Sequence, residues 1–376
     1  MTATEPAAAG PLRVTVVTVA HRPDDARIAF RQIGALRRAG AEVCYVAPGP
    51  ATVAWGPDVG PVERVVVTRA TGRRRLRPWW QAFRAVRRRR GTCDIVLVHD
   101  LEAVLPVRLA RPGCPVVWDV HEDMVASVDD RRWIPARARP LMRWVVGRFE
   151  RLATARSPLL LAEHSYRDRF GDWPVVPNTT TVPATVPAVA PASPPYAIYV
   201  GRISQARGAA AMIRLGHDLG GDARVVLVGP ADDDVRADLT AAAEAGAVDW
   251  RGPLPNPEAL ALVEHAAVGL CLLEPIANYV GSMPTKVYEY FARGVPAVVS
   301  PLPLAVDAVH HADAGTVVDP HDPAAVAAAV RAYTSDPDHA RAAGRRGHRW
   351  VQAHHDWNVD GERFVATLTD WAATRR

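Results

Sequence analysis

The sequence predicts an α/β protein made of two doubly wound parallel sheets joined by a linker. Short β-branched runs alternate with helical spacings in both halves, the pattern of strands buried on both faces beneath crossover helices. The chain has 376 residues, too many for one ordinary core. From Asn178 to Pro195 the composition turns to Thr, Val, Ala and Pro with almost no charge, which reads as an extended join. The expected divisions are a first domain over 1–180, a linker over 181–195, a second domain over 196–350, and a closing helix over 351–376 that packs back on the first domain.

Taken in order, an Ala-rich start leads into a β-branched run from Arg13 to Ala20. Ala26 to Arg38 has helical spacing through Ile28, Ile33 and Leu36, and Gly40 stops it before a second strand, Glu42 to Ala47. Arg64 to Thr68, Ile95 to Val98 and Val116 to Val120 extend the alternation. Beyond the linker, strands are expected over Ala197 to Val200, Arg224 to Val228, Gly269 to Leu273 and Ala297 to Ser300. A helix follows at Ala324 to Tyr333. The tail from His348 carries Trp350, Trp357 and Trp371, and needs a surface to pack on.

Lys plus Arg total 45 and Asp plus Glu 40, a net charge of +5 that favours anionic partners. Cys44, Cys93, Cys114 and Cys271 form no CxxC pair and read as small buried hydrophobes, neither a zinc site nor a disulfide framework. The N-terminus lacks a basic n-region, and no apolar stretch approaches the ~20 residues that span a bilayer. A cytoplasmic protein is expected, with room for membrane association. Between Arg73 and Arg90, Trp79, Trp80, Phe83 and Val86 can share one helical face with arginines at both ends. That suits an anionic membrane surface, and equally a helix covering the sheet. No fold motif for nucleic acid accompanies the charge, so no nucleic-acid partner is expected.

The best candidate site is Asn278 to Ser300. Ser282 offers an N-cap oxygen, Pro284 suits a first helical position, and Gly294 with Pro296 marks the stop. Free N–H groups at such a start attract phosphate, and Lys286 adds a full charge beside them. Glu289 lies one turn on, within reach of hydroxyls on the same ligand. Lys286 is the single lysine of the chain. Where arginine serves everywhere else, a compact ammonium points to a specific need.

Several motifs in order and spacing make the chain resemble the retaining GT-B glycosyltransferases of family 4 over nearly its whole length. They are His21-Arg22-Pro23-Asp24-Asp25-Ala26-Arg27-Ile28, Val98-His99-Asp100, Asp119-Val120-His121-Glu122-Asp123, Val176-Pro177-Asn178, Val200-Gly201-Arg202, and Asn278-Tyr279 through Pro284-Thr285-Lys286 to Glu289-Tyr290. The resemblance implies two Rossmann-like domains facing across a cleft, the nucleotide sugar held mostly by the second and the acceptor by the first. It assigns the donor diphosphate to Gly201, Arg202, Arg207, Ser282, Thr285 and Lys286, with arginine at 207 where the family has lysine. It gives the ribose hydroxyls to Glu289 and a place near the transferred carbon to His121, with His99, Asp100 and Glu122 at the same edge. The first acid of the family's E-x7-E pair falls on Gly281, eight residues before Glu289. Glu274 or Asn278 could cover that contact, and backbone N–H groups of the Gly281 to Met283 loop could still hold the donor.

The implied reaction is transfer of a sugar from a nucleoside diphosphate with retention and without a metal, His121, Arg202, Arg207 and Lys286 forming the reactive set. Asp232 to Asp234 reads as a cap for the next helix and not as a magnesium site. A UDP or GDP sugar is the expected co-substrate, with no tightly bound cofactor. The acceptor stays open between a glycan, a glycolipid and a small metabolite. The rivals are an epimerase of the same fold, a glycan phosphorylase using Lys286 for pyridoxal phosphate, and a non-catalytic nucleotide-sugar-binding subunit. A nicotinamide dehydrogenase is disfavoured because neither domain has a G-x-G-x-x-G between its first strand and helix, and no P-loop occurs.

Overall fold

Every paired strand in the computed structural model runs parallel to its neighbour, in two six-stranded sheets. The structure describes residues 10–50, 55, 59–72, 74–121, 124–125, 128 and 134–374. Its contacts divide the chain into Met1–Pro177 with Val359–Arg376, and Asn178–Asn358.

The first unit holds β1 (Arg13–Val17), β2 (Glu42–Pro48), β3 (Glu63–Val67), β4 (Ile95–Val98), β5 (Val116–Val120) and β6 (Leu159–Leu161), in the order β3-β2-β1-β4-β5-β6. The second holds β7 (Tyr196–Val200), β8 (Arg224–Val228), β9 (Asp249–Gly252), β10 (Val268–Cys271), β11 (Ala297–Val299) and β12 (Gly315–Val317), in the order β12-β11-β10-β7-β8-β9. Both follow the same winding, with the strand order reversing between β1 and β4 in one and between β7 and β10 in the other. Those are the places where open α/β sheets leave a crevice for ligands.

In the first unit α1 joins β1 to β2. It is π-wound over Ala26–Ile33 and α-helical over Gly34–Arg38, where the spacing had suggested one plain helix. The Asp25 carboxylate caps it, accepting from the N–H groups of Arg27 and Ile28. On the opposite face lie α2 (Leu76–Arg88), α3 (Leu101–Leu109) and α4 (Arg139–Thr154), which carry the chain from β3 to β4, from β4 to β5 and from β5 to β6, moving the same way along the sheet. They bury Ala82, Val86, Val104, Val107 and Ala153 against Val96, Val98 and Trp118. The face expected on α2 therefore splits. Val86 is fully buried and Trp79 packs on the core, while Trp80 is exposed and stacks on Phe83 at 5.0 Å. The short α5 (Arg167–Phe170) follows β6.

The second unit continues with α6 (Ala209–Leu219), α7 (Asp233–Glu244), α8 (Asn256–Glu264), α9 (Ala277–Val280), α10 (Thr285–Ala292), α11 (Pro303–Ala312), α12 (Pro323–Thr334) and α13 (Pro337–His354). Its sheet is buried on both faces, Tyr199, Leu227 and Leu270 to one side and Ile198, Val226 and Cys271 to the other. On α13, Val351 and Trp350 close the second of these cores. Within α14 (Trp357–Ala373) the Trp357 N–H reaches the Thr180 carbonyl at 2.8 Å, and Trp371 meets Trp173 edge-on in the first unit at 6.4 Å. The tail tryptophans thus do pack. No helix among the described residues is long and apolar enough to cross a membrane. One pairing escaped the sequence: the free thiols of Cys93 and Cys114 lie 3.4 Å apart.

Candidate active site

In the second unit the site grows from the gap between β7 and β10. Tyr290 on α10 fills it, its hydroxyl donating to the Leu270 carbonyl at 3.0 Å and accepting from the Val200 N–H at 3.4 Å. Its ring lies so close to Gly269 that a Cβ there would stand 2.1 Å from it. A glycine in β10 therefore admits the tyrosine, and the tyrosine holds the first turn of α10 over the strand ends. Lys286 and Glu289 stand on that turn and the next.

Lys286 reaches back to β7, with its Nζ 5.2 Å from the centre of the Tyr199 ring, a cation–π contact. A Cβ at Gly201 would sit 3.1 Å from that nitrogen, and the glycine's φ of +134° is one that side-chain-bearing residues avoid. Gly201 thus makes room for the lysine and the bend after β7 together. Burial and the neighbouring Arg207 push the Lys286 ammonium down to about 8. Arg207 lies over Tyr279 at 5.7 Å and donates to its hydroxyl at 3.3 Å. The Tyr199 hydroxyl donates to the Arg202 carbonyl at 2.7 Å, fixing the loop that carries both arginines. Neither tyrosine was marked as a site residue in the sequence, although Tyr279 lies in a quoted motif and Tyr199 is an aromatic at the end of a core strand.

Two expectations for this unit need correction. Ser282 does not stand at the N-cap: Pro284 occupies that position, and the Ser282 N–H goes to the Tyr279 carbonyl in the turn that follows α9. Asp232 stands at the N-cap of α7 without capping it and instead grips Arg202 through two bonds of 2.6 and 2.8 Å. Glu274 is engaged by His321 Nε2 at 3.0 Å, and its N–H donates to the Ala206 carbonyl. Thr285 opens α10, its N–H on the Met283 carbonyl. Gly281 is exposed, with nothing within 4 Å of an added Cβ. Asn278 lies in α9; its side chain is outside the description.

In the first unit His99 and His121 gather at the ends of β4 and β5, joined by His21 from the loop after β1. Asp119 organises them. Both its oxygens take Arg27, at 2.7 and 2.8 Å, and one also accepts from Gln32 Nε2 at 3.1 Å. Arg27 and Gln32 are five apart, positions an α-helix turns away from each other and the π winding of α1 brings to one side. Burial pushes the Asp119 carboxyl up, yet Arg27 and the hydrogen bonds hold it well below the usual carboxylate range. His99 Nδ1 lies 3.2 Å from Asp119 Oδ2, and burial lowers that ring's affinity for a proton. His121 Nδ1 lies 3.0 Å from the Asp119 carbonyl, and its Nε2 meets His21 Nε2 at 3.0 Å. One ring must donate there and the other accept.

Asp100 is buried and tied to the loop after β1, one oxygen taking the Thr18 hydroxyl at 2.8 Å and the Val19 N–H, with His21 Nε2 at 3.4 Å from its other oxygen. Glu122 lies outside the described residues. His99, Asp119 and His121 are near enough together to ligate a metal. With Arg27 and Gln32 already on Asp119, the cluster is better suited to orienting His121. The sequence had not marked Arg27, Gln32 or His21 as site residues, although two of the three lie in a quoted motif.

Two family profiles match the chain: Glycosyl transferase 4-like domain over residues 5–182, and Glycosyl transferases group 1 over 187–350. No curated protein matches it by sequence comparison. Among solved structures it is similar to a sucrose-phosphate synthase from Thermosynechococcus elongatus, with TM-score 0.68, 16% identity, and 96% of this chain and 100% of that one covered. Anabaena HepE in complex with UDP-glucose gives TM-score 0.67 at 13% identity, over 96% and 100% of the two chains. AviGT4, a glycosyltransferase involved in avilamycin A biosynthesis, gives 0.58 at 19% identity, over 96% and 98%. With the doubled winding and matches across both halves, the chain belongs to the GT-B glycosyltransferases.

Proposed function

We propose that this glycosyltransferase takes its sugar from a UDP or GDP donor and passes it to an acceptor with retention at the anomeric carbon, without a metal and without a tightly bound cofactor. The observation that carries the reading is the set of cations at the β7–β10 switch point: Arg202, Arg207 and Lys286, with Gly201 between them. The costly event is departure of an anionic diphosphate as positive charge develops on the sugar, and fixed cations stabilise that departure. Losing one such contact costs on the order of 3 kcal/mol, about a hundredfold in rate. Ser282, Thr285 and the Gly281 loop lie beside the phosphates in this reading, and Glu289 takes the ribose diol. His121 faces the sugar, oriented by the Asp119 carbonyl and His21, and acceptor recognition falls to His99, Asp100 and Glu122.

HepE, which shares the fold, was solved with UDP-glucose, which supports a nucleotide sugar here. We place the chain in the cytoplasm, with the arginine-rich stretch from Arg73 to Arg90 in contact with an anionic membrane surface. A thermal-shift screen of UDP, GDP, ADP and dTDP sugars, followed by transfer assays with and without EDTA and NMR of the product anomer, tests all of this. Arg202→Ala and Lys286→Ala should each lose about a hundredfold in turnover while remaining folded. Donor binding with neither transfer nor donor hydrolysis would favour a non-catalytic subunit, and turnover without an acceptor an epimerase.

A further inference from the structure

The three helices covering one face of the first sheet turn an unusual surface outward. α4 is amphipathic in the inverse sense. Glu150 and Ala153 face the core, whereas Leu141, Trp144, Val145 and Leu152 are exposed with Arg148 among them. These positions follow the spacing i, i+3, i+4, i+7 and i+11, so they form one stripe along the outer side. On α2, Leu76 and Trp80 are exposed, and Arg77, Arg84, Arg87 and Arg88 stand exposed around them. Leu109 adds to the same layer from the end of α3. Seven of the twelve large apolar side chains exposed among the described residues lie on these three helices.

Acids are missing from the outside of that layer. Its helices carry two, Glu150, buried against Arg169, and Glu102, half-buried against Arg75. A second copy docking by two-fold symmetry would set arginine against arginine with no exposed carboxylate on these helices to answer. An anionic lipid surface answers both features: Leu and Trp enter the headgroup boundary, and guanidinium groups on apolar stems reach lipid phosphates.

We propose that α2, α3 and α4 form a docking face for an anionic bilayer, with the α4 stripe as its principal contact. This rests on the membrane reading of the Arg73 to Arg90 stretch and not on the identity of the sugar donor. The test is flotation of the full chain with phosphatidylcholine vesicles, with and without phosphatidylglycerol, at low and high salt. Wild type should float with phosphatidylglycerol and much less without it. A Leu141→Ser and Trp144→Ser variant should lose about tenfold or more in partitioning, and an Arg148→Gln and Arg151→Gln variant about fivefold per arginine at low salt. These residues are exposed, so circular dichroism should report unchanged folds. If both α4 variants float like wild type while Trp80→Ser with Arg84→Gln does not, the α4 inference fails and the α2 reading survives. If wild type ignores phosphatidylglycerol, both fall. If wild type is a dimer that the α4 variants split, the face belongs to a second copy and the inference is overturned.

Discussion

At the scale of single residues, the proposed donor site sets charges against their comfort. Lys286 sits half-buried beside Arg207 and titrates near 8. Below that value both the folded and the unfolded chain hold the proton, so the full cost of a confined ammonium falls on the folded state. Between about 8 and the ordinary lysine value only the unfolded chain holds it, so ligand-free stability rises with pH there. Lys286→Met should therefore raise stability near neutral pH by roughly 1–2 kcal/mol, after a discount for its exposed part, while abolishing the shift induced by UDP. A melt lower than wild type would contradict the assignment. Wild-type affinity for UDP should fall as pH rises through about 8, because the diphosphate needs the ammonium. Asp232 holds Arg202 in the ligand-free protein and, under the proposed function, competes with the diphosphate for it. Since the pair is exposed, Asp232→Asn should tighten UDP binding by up to about fivefold. Calorimetric titration that finds weaker binding would mean Asp232 aims the arginine instead. Gly281 has an ordinary φ of −99° and open space around it, so Gly281→Glu should fold normally. If the missing acid limits recognition of the sugar ring, this variant should bind the UDP-sugar more tightly while binding UDP unchanged.

Among the elements, α1 and α10 do the placing, and they differ in how far sequence reveals them. For α10, Lys286 and Glu289 stood out from spacing, charge and the scarcity of lysine, but its start did not, because the four-residue α9 has no periodicity to read. The helix run of α1 was legible, and its π winding was not. That winding sets Arg27 and Gln32 together on one carboxylate, Asp119, some ninety residues away, which no local spacing announces. The central strands, such as Val116–Val120, announce themselves as β-branched runs. Leu159–Leu161, Asp249–Gly252 and Gly315–Val317 do not, since edge strands of three or four residues are too short for a period to show. Because Arg27 neutralises a buried carboxylate, Arg27→Met should cost about 3–5 kcal/mol in denaturant unfolding. A loss under 1 kcal/mol would mean Asp119 is held chiefly by its other partners.

Over the whole molecule, two sheets of one winding carry different chemistries at equivalent places. The second unit offers cations at its switch point; the first offers histidines oriented through a buried carboxylate. The division has a thermodynamic consequence. A nucleotide that binds only the second unit stabilises that unit by mass action, by about 2.7 kcal/mol at a hundredfold excess over Kd, or roughly 5–10 °C for a unit of this size. Hydrogen exchange can separate the contributions. With UDP added, amides around Tyr199 to Arg207 and Tyr279 to Glu289 should exchange more slowly, and the core of β7 and β10 should follow because it shares their opening. Amides of β1 and β4 should keep their rates, since the cations proposed to grip a diphosphate all stand in the other core. Protection that appeared at His21, His99 and His121 with UDP alone, and left Gly201 and Lys286 unchanged, would move the diphosphate to the histidine cluster and remove the basis for assigning the donor to Arg202, Arg207 and Lys286.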